Sequence, residues 1–185
     1  MNTNVSPSPD RPRPSAPALI MVLLTAAPAV PALSQDASCD AVVGTFARLA
    51  QTPNHQFTEQ RGRSGAGRTE SITTGTTRYI WTEGKWTSQP FSPAAEIMEE
   101  AARAKSEKST CRWIRDENIE GVAASLYSVQ TKADYGSSDT KLWIAKVNGL
   151  PVREEIKLDL AKVPGKTRIE VRFVYAGVAP PPGAN

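Results

Sequence analysis

Apolar and polar positions change period several times along this chain, and each change marks an element. In "SCDAVVGTFARLAQ", Val42, Val43, Phe46, Leu49 and Ala50 recur at helical spacing, with Ser38 placed as an N-cap and Asp40 in the first turn. Pro53 and Asn54 stop that helix, and "HQFTEQRG" reads as a strand before the glycine-rich turn "GRSGAG". The next run, "TESITTGTTRYIWTEGKWTSQ", is dense in threonine, isoleucine, tyrosine and tryptophan, with breaks at Gly75 and at Glu83-Gly84. This is the composition of β-hairpins.

At "FSPAAEIMEEAARAK" the period returns to helical. Ser92 can cap, Pro93 suits the first helical position, and Ile97, Met98, Ala101 and Ala102 form a stripe. Strand-like runs follow to the end: "TCRWIRDENIEG", "VAASLYSVQTK", "KLWIAKVNGLPVREEIKLDL" and "TRIEVRFVYAG". In the last of these Ile169, Val171, Phe173 and Tyr175 alternate with Arg168, Glu170 and Arg172, so one face is apolar and the other wet. One-sided alternation belongs to antiparallel sheets, since parallel sheets need apolar runs and a crossover helix after each strand. With two helices against many strands, the pattern predicts an α+β fold: a single curved, open antiparallel sheet with the helices packed on its apolar, concave face. Asn148-Gly149 predicts a type I′ turn, and Pro151, which cannot donate to a ladder, is expected near a strand's start or on an edge.

The first residues read differently. After Arg11 and Arg13 comes an apolar run, Ala18 to Ala27, and then small residues up to Ser34, the pattern of a cleaved secretory signal. A disordered cytosolic tail is the alternative. The expected organisation is thus a signal peptide over 1–34, one domain over 35–178, and a proline-rich tail over 179–185. The apolar run is too short to span a bilayer and no stretch of about 18 apolar residues occurs, so a membrane-embedded chain is not expected. Export places the protein in the periplasm. There Cys39 and Cys111, the two cysteines of the sequence, are expected to form a disulfide, free buried thiols being the alternative.

Charge adds little. Without Asp10, Arg11 and Arg13 the chain holds 20 basic against 18 acidic side chains. Arg61, Arg63 and Arg68 cluster, but among glycines and serines with no interleaved aromatics, so no nucleic-acid partner is expected. His55 is the only histidine, which removes a multi-histidine metal centre; no G-x-S-x-G elbow and no phosphate-cradling loop is present. The acidic pairs Glu99-Glu100, Asp116-Glu117 and Glu154-Glu155 read as solvated charge, and at Glu154-Glu155 the opposite facing of strand neighbours defeats a paired-acid site. No catalytic residue, metal or cofactor is assigned.

What remains is apolar: Tyr79, Trp81, Trp86, Phe91 and Trp113, then Tyr127, Trp143, Phe173 and Tyr175. Two readings stand. These aromatics fill an ordinary core, or two short helices leave part of a large sheet uncovered as an apolar groove, lined by these side chains together with Ile97 and Met98.

The order of features, a helix first, then "TTRYIWTEGKW", a proline-started helix, a cysteine before "RWI", "IEGVAASLYSV", "KLWIAKVNGLPVREE" and "RFVYAGVAPP", resembles the periplasmic lipoprotein-carrier (LolA-like) superfamily with its LppX-like relatives. The resemblance is strongest over Tyr79 to Trp86, Gly121 to Tyr127, and Trp143-Ile144 with Gly149-Leu150-Pro151. It implies a half-barrel lidded by helices, with a hydrophobic cavity for acyl chains and Trp143 in its wall. Two functions follow as expectations: a non-enzymatic periplasmic protein that binds or carries a lipid or other apolar ligand, or an envelope module that contacts another protein and holds no ligand.

Overall fold

The computed structural model describes residues 35–62, 65–161 and 165–183; the expected signal peptide lies outside the described residues. Helix α1 (Gln35–Gln51) is followed by strands β1 (Asn54–Gly62), β2 (Gly65–Thr74), β3 (Thr77–Thr82) and β4 (Lys85–Pro90). Helix α2 (Pro93–Ser106) comes next, and then β5 (Lys108–Ile119), β6 (Val122–Ala133), β7 (Gly136–Ala145), β8 (Pro151–Leu160) and β9 (Thr167–Val174).

The nine strands form one open antiparallel sheet in the order β4-β3-β2-β1-β9-β8-β7-β6-β5. Apart from β1 beside β9, every strand pairs with its neighbour in sequence. Strands β4 and β5 are therefore the two opposite edges, yet they are consecutive in the chain. The connection between them has to cross the whole sheet, and α2 lies in that connection. This crossing makes the second helix a lid, and the architecture is the helix-lidded half-barrel expected from the sequence.

Local chemistry accounts for the ends of the elements. The Ser92 hydroxyl accepts a hydrogen bond from the Ala95 N–H at 3.3 Å, and Pro93 opens α2, as the sequence predicts. Two tight turns carry positive φ at both central residues, Glu83-Gly84 and Glu120-Gly121, the backbone that a type I′ hairpin demands. The expected turn at Asn148-Gly149 is different. Only Gly149 has positive φ; the loop runs over 146–150, closed by Ala145 N–H to the Leu150 carbonyl at 2.8 Å, and the Asn148 side chain accepts from the Leu150 N–H at 3.0 Å. Pro151 then starts β8, fully buried, where its missing N–H costs nothing to the ladder.

Ser38 is not an N-cap, because α1 already starts at Gln35. It lies inside the helix, fully buried, where its hydroxyl accepts the backbone N–H of Trp113 at 3.4 Å. One turn on, Val42 is buried, and Thr45 donates to the Gly149 carbonyl at 3.1 Å. These residues recur at helical spacing on one face, so the polar members of that face are satisfied by the sheet they press against. Cys39 and Cys111 form the expected disulfide, fixing α1 to β5. Beneath the helix, Val42 packs with Cys111, Tyr127, Leu142 and Ile144 as the main core.

Candidate functional site

Strand register decides which side chains meet. Across the face that the helices cover, Ser109 of β5, Thr131 of β6, Ser138 of β7 and Leu158 of β8 form one row. The next row is Cys111, Val129, Thr140, Ile156 and Ile169, and the one after that Tyr127, Leu142, Glu154 and Val171. Hydroxyls thus dominate one end and hydrocarbon the other. Between this wall and the two helices lies a cavity of about 880 Å³. Helix α1 contributes Val42, Val43, Phe46, Leu49 and Ala50 to it, all five residues of its predicted apolar stripe, while Val171 and Phe173 line it from β9.

Helix α2 is turned the other way from its expected stripe. Glu96, Glu100 and Arg103, spaced by about one helical turn, and Glu107 just past the helix end face the cavity, and Met98 is 72% exposed. Arg78 on β3 meets Glu96 at 3.3 Å and stacks over the Phe91 ring at 4.3 Å. Arg103 meets Glu100 at 3.3 Å. Burial raises the Glu100 carboxyl above its ordinary value, although the Arg103 charge opposes the shift. Glu107 accepts the Tyr135 hydroxyl at the polar end.

Glu154 is the exception within the wall. Its register partners on this face are Leu142, with no exposure at all, and buried Val171. Burial, then the nearby charge of Glu100, push its carboxyl up to about 7. The solvated reading of the Glu154-Glu155 pair holds for one member only: Glu155 turns to the outer face and meets Arg153 at 2.8 Å, whereas Glu154 turns inward. The signal was present in "VREEIKLDL", where Glu154 is in phase with Ile156 and Leu158.

Most aromatics expected in the groove lie elsewhere. Because Arg78 and Ile80 of β3 face the cavity, Tyr79 and Trp81 face out, and Trp86, in register with Trp81, shares that outer face. There they join His55, whose ring lies 4.0 Å from Phe57 and whose Nε2 is 3.1 Å from a Glu70 oxygen. Trp143 also faces out, since Leu142 and Thr140 hold the opposite phase; it packs with Ala124 and Leu126, donates to Glu117, and has the Arg153 guanidinium 5.6 Å from its ring centre. Tyr127 and Trp113 share the inner face but are packed in the core under α1. Ile97 is half-buried on α2 outside the cavity lining. Tyr175 acts as a strut, donating to the Pro151 carbonyl at 2.6 Å. Of the eleven residues expected to line the groove, Phe91 and Phe173 are the two that stand in the cavity wall.

The sequence matches no protein-family model and no curated protein. Solved structures with a similar course of the chain include LprF from Mycobacterium bovis, at 13% identity and a TM-score of 0.42, with 80% of this chain and 99% of that one covered. MucB, solved in complex with MucA(peri), aligns at 13% identity and a TM-score of 0.46, covering 78% of this chain and 57% of that one. A DUF1329 family protein from Desulfovibrio piger aligns at 9% identity and a TM-score of 0.29 over 77% of this chain and 94% of its own.

No group of three or more histidine, cysteine or acidic side chains suited to a metal occurs among the described residues, and no helix there is long and apolar enough to cross a membrane.

Proposed function

We propose that this chain is an exported, non-enzymatic periplasmic protein, its leader spanning 1–34, whose half-barrel binds or carries an acyl chain or comparable apolar ligand. The observation that carries the reading is the cavity of about 880 Å³ beneath α1, walled by Val42, Phe46, Leu142, Val171 and Phe173. That volume falls within the roughly 300–1,000 Å³ of small-molecule sites, which are apolar with a few placed polar groups. The candidate chemistry points the same way: both cysteines are spent in a disulfide, and His55 pairs with Glu70 on the face away from the cavity.

Solvent extraction of the purified protein, followed by mass spectrometry, tests this. A lipid recovered in near-stoichiometric amount supports the reading; recovery of none, with no saturable uptake of a long-chain alcohol, contradicts it.

An envelope interaction module is the second reading, favoured by one observation. The outer face next to edge strand β4 carries the half-buried aromatics Phe57, Tyr79, Trp81 and Trp86 together, beside a strand edge that pairs with no other described strand. Such a face offers a partner both apolar area and a free backbone edge.

A further inference from the structure

The cavity is apolar where α1 covers it, but its charge is not balanced. The described charged groups that line it are two arginines, Arg78 and Arg103, and four glutamates, Glu96, Glu100, Glu107 and Glu154. Each arginine already meets a lid carboxylate, Arg78 with Glu96 and Arg103 with Glu100. Glu107 accepts from the Tyr135 hydroxyl. Glu154 is left over. It is half-buried in the wall between Leu142 and Val171, and the charged group acting on it is another carboxylate, Glu100 of α2. Among the described residues no cation or hydrogen-bond donor reaches it.

A half-buried carboxyl without a partner is unfavourable in an apolar wall, and a ligand that supplies the partner relieves it. The position also has the right neighbours for an amphiphile. On one side Val42, Phe46 and Phe173 offer hydrocarbon; on the other Thr140, Ser138 and Thr131 offer hydroxyls. A simple fatty acid would bring a third carboxylate against Glu154 and Glu100.

We propose that Glu154 is the head-group site of this cavity, and that the ligand class it selects is a cationic amphiphile: a protonated amine set against the Glu154 carboxylate, with the hydrocarbon chain lying under α1. This rests on the cavity being a ligand site. Glu100 faces the same amine from the lid, with Arg103 bound to its side, and Arg78 is held away by Glu96 and Phe91. The amine therefore meets a net negative head-group region.

Isothermal titration of the folded protein with dodecylamine, dodecanol and dodecanoate at about pH 8, where the amine and Glu154 are both ionised, tests the inference. The amine is expected to bind at least about tenfold more tightly than the alcohol, as one charge-assisted hydrogen bond allows, and the carboxylate most weakly. In Glu154→Gln the amine should fall to the level of the alcohol, with alcohol binding kept; circular dichroism checks that the variant is folded. Equal binding of amine and alcohol by the wild type, or an equal loss of both in the variant, overturns the head-group assignment while leaving the cavity reading intact. Binding of none of the three overturns both.

Discussion

Cys39 of α1 and Cys111 of β5 are bonded to each other with 5.0 Å between their Cα atoms, so the helix that roofs the apolar end of the cavity is tied to an edge strand of the sheet. The bond closes a loop of 72 residues. Replacing both cysteines by serine should lower the stability by roughly 4 kcal/mol, the loop-closure entropy returned to the unfolded chain. Guanidinium denaturation of the two proteins measures it, and the wild type with reductant should follow the variant. Coincident curves for wild type and variant would show that the two thiols do not pair.

Glu154 makes the stability depend on pH. Its carboxyl is raised from 4.5 to about 7 in the folded chain, so the folded state binds a proton that the unfolded state gives up earlier. This contribution is fully present below about pH 4.5, and it is lost as the pH rises towards 7. The wild type should therefore lose up to about 3 kcal/mol over that window relative to Glu154→Gln, in which the group cannot ionise. Thermal melts of both proteins at a series of pH values decide it; parallel curves would place Glu154 in solvent.

Trp143 belongs to the outer face, so its removal should separate folding from binding. Trp143→Ala deletes a side chain that is 6% exposed and packed on Ala124 and Leu126. A loss of roughly 3 kcal/mol is expected. The affinity of the remaining folded protein for a long-chain alcohol should stay within about twofold, since no cavity contact is removed. A large fall in affinity at unchanged fold would return Trp143 to the cavity wall.

Tyr175→Phe removes the hydroxyl that donates to the Pro151 carbonyl and keeps the ring. About 1 kcal/mol of stability should go with it. Urea denaturation is sensitive enough to resolve this, and an unchanged midpoint would mean the bond has no net value.

The strands and their antiparallel pairing were legible in the sequence, but the face of several was not, and the difference has a physical origin. In β9 apolar Ile169, Val171 and Phe173 alternate with Arg168, Glu170 and Arg172; the phase is unambiguous and puts Phe173 inward, where it lines the cavity. Tyr79-Ile80-Trp81 and Leu142-Trp143-Ile144 are apolar on both faces. Alternation then carries no phase, and size misleads: the larger rings lie outside while Ile80 and Leu142 line the cavity. The α2 stripe failed for another reason. The helix crosses an open mouth, so its inner face meets the Arg78 guanidinium and the hydroxyl-lined polar end, and glutamates serve there better than Met98. Glu154 was readable from its phase with Ile156 and Leu158, but its cost becomes visible only once Leu142 and Val171 are known to flank it.

The most direct test of the cavity as a ligand site is photolabelling of the folded protein with a long-chain alcohol bearing a diazirine on its chain, followed by peptide mapping. Labels are expected on Val42, Phe46, Val171 and Phe173, which line the cavity from α1 and β9, and they should be competed away by unlabelled alcohol. Labels concentrated instead on Tyr79, Trp81, Trp86 or Trp143, the aromatics of the outer face, or labelling that no competitor reduces, would contradict it.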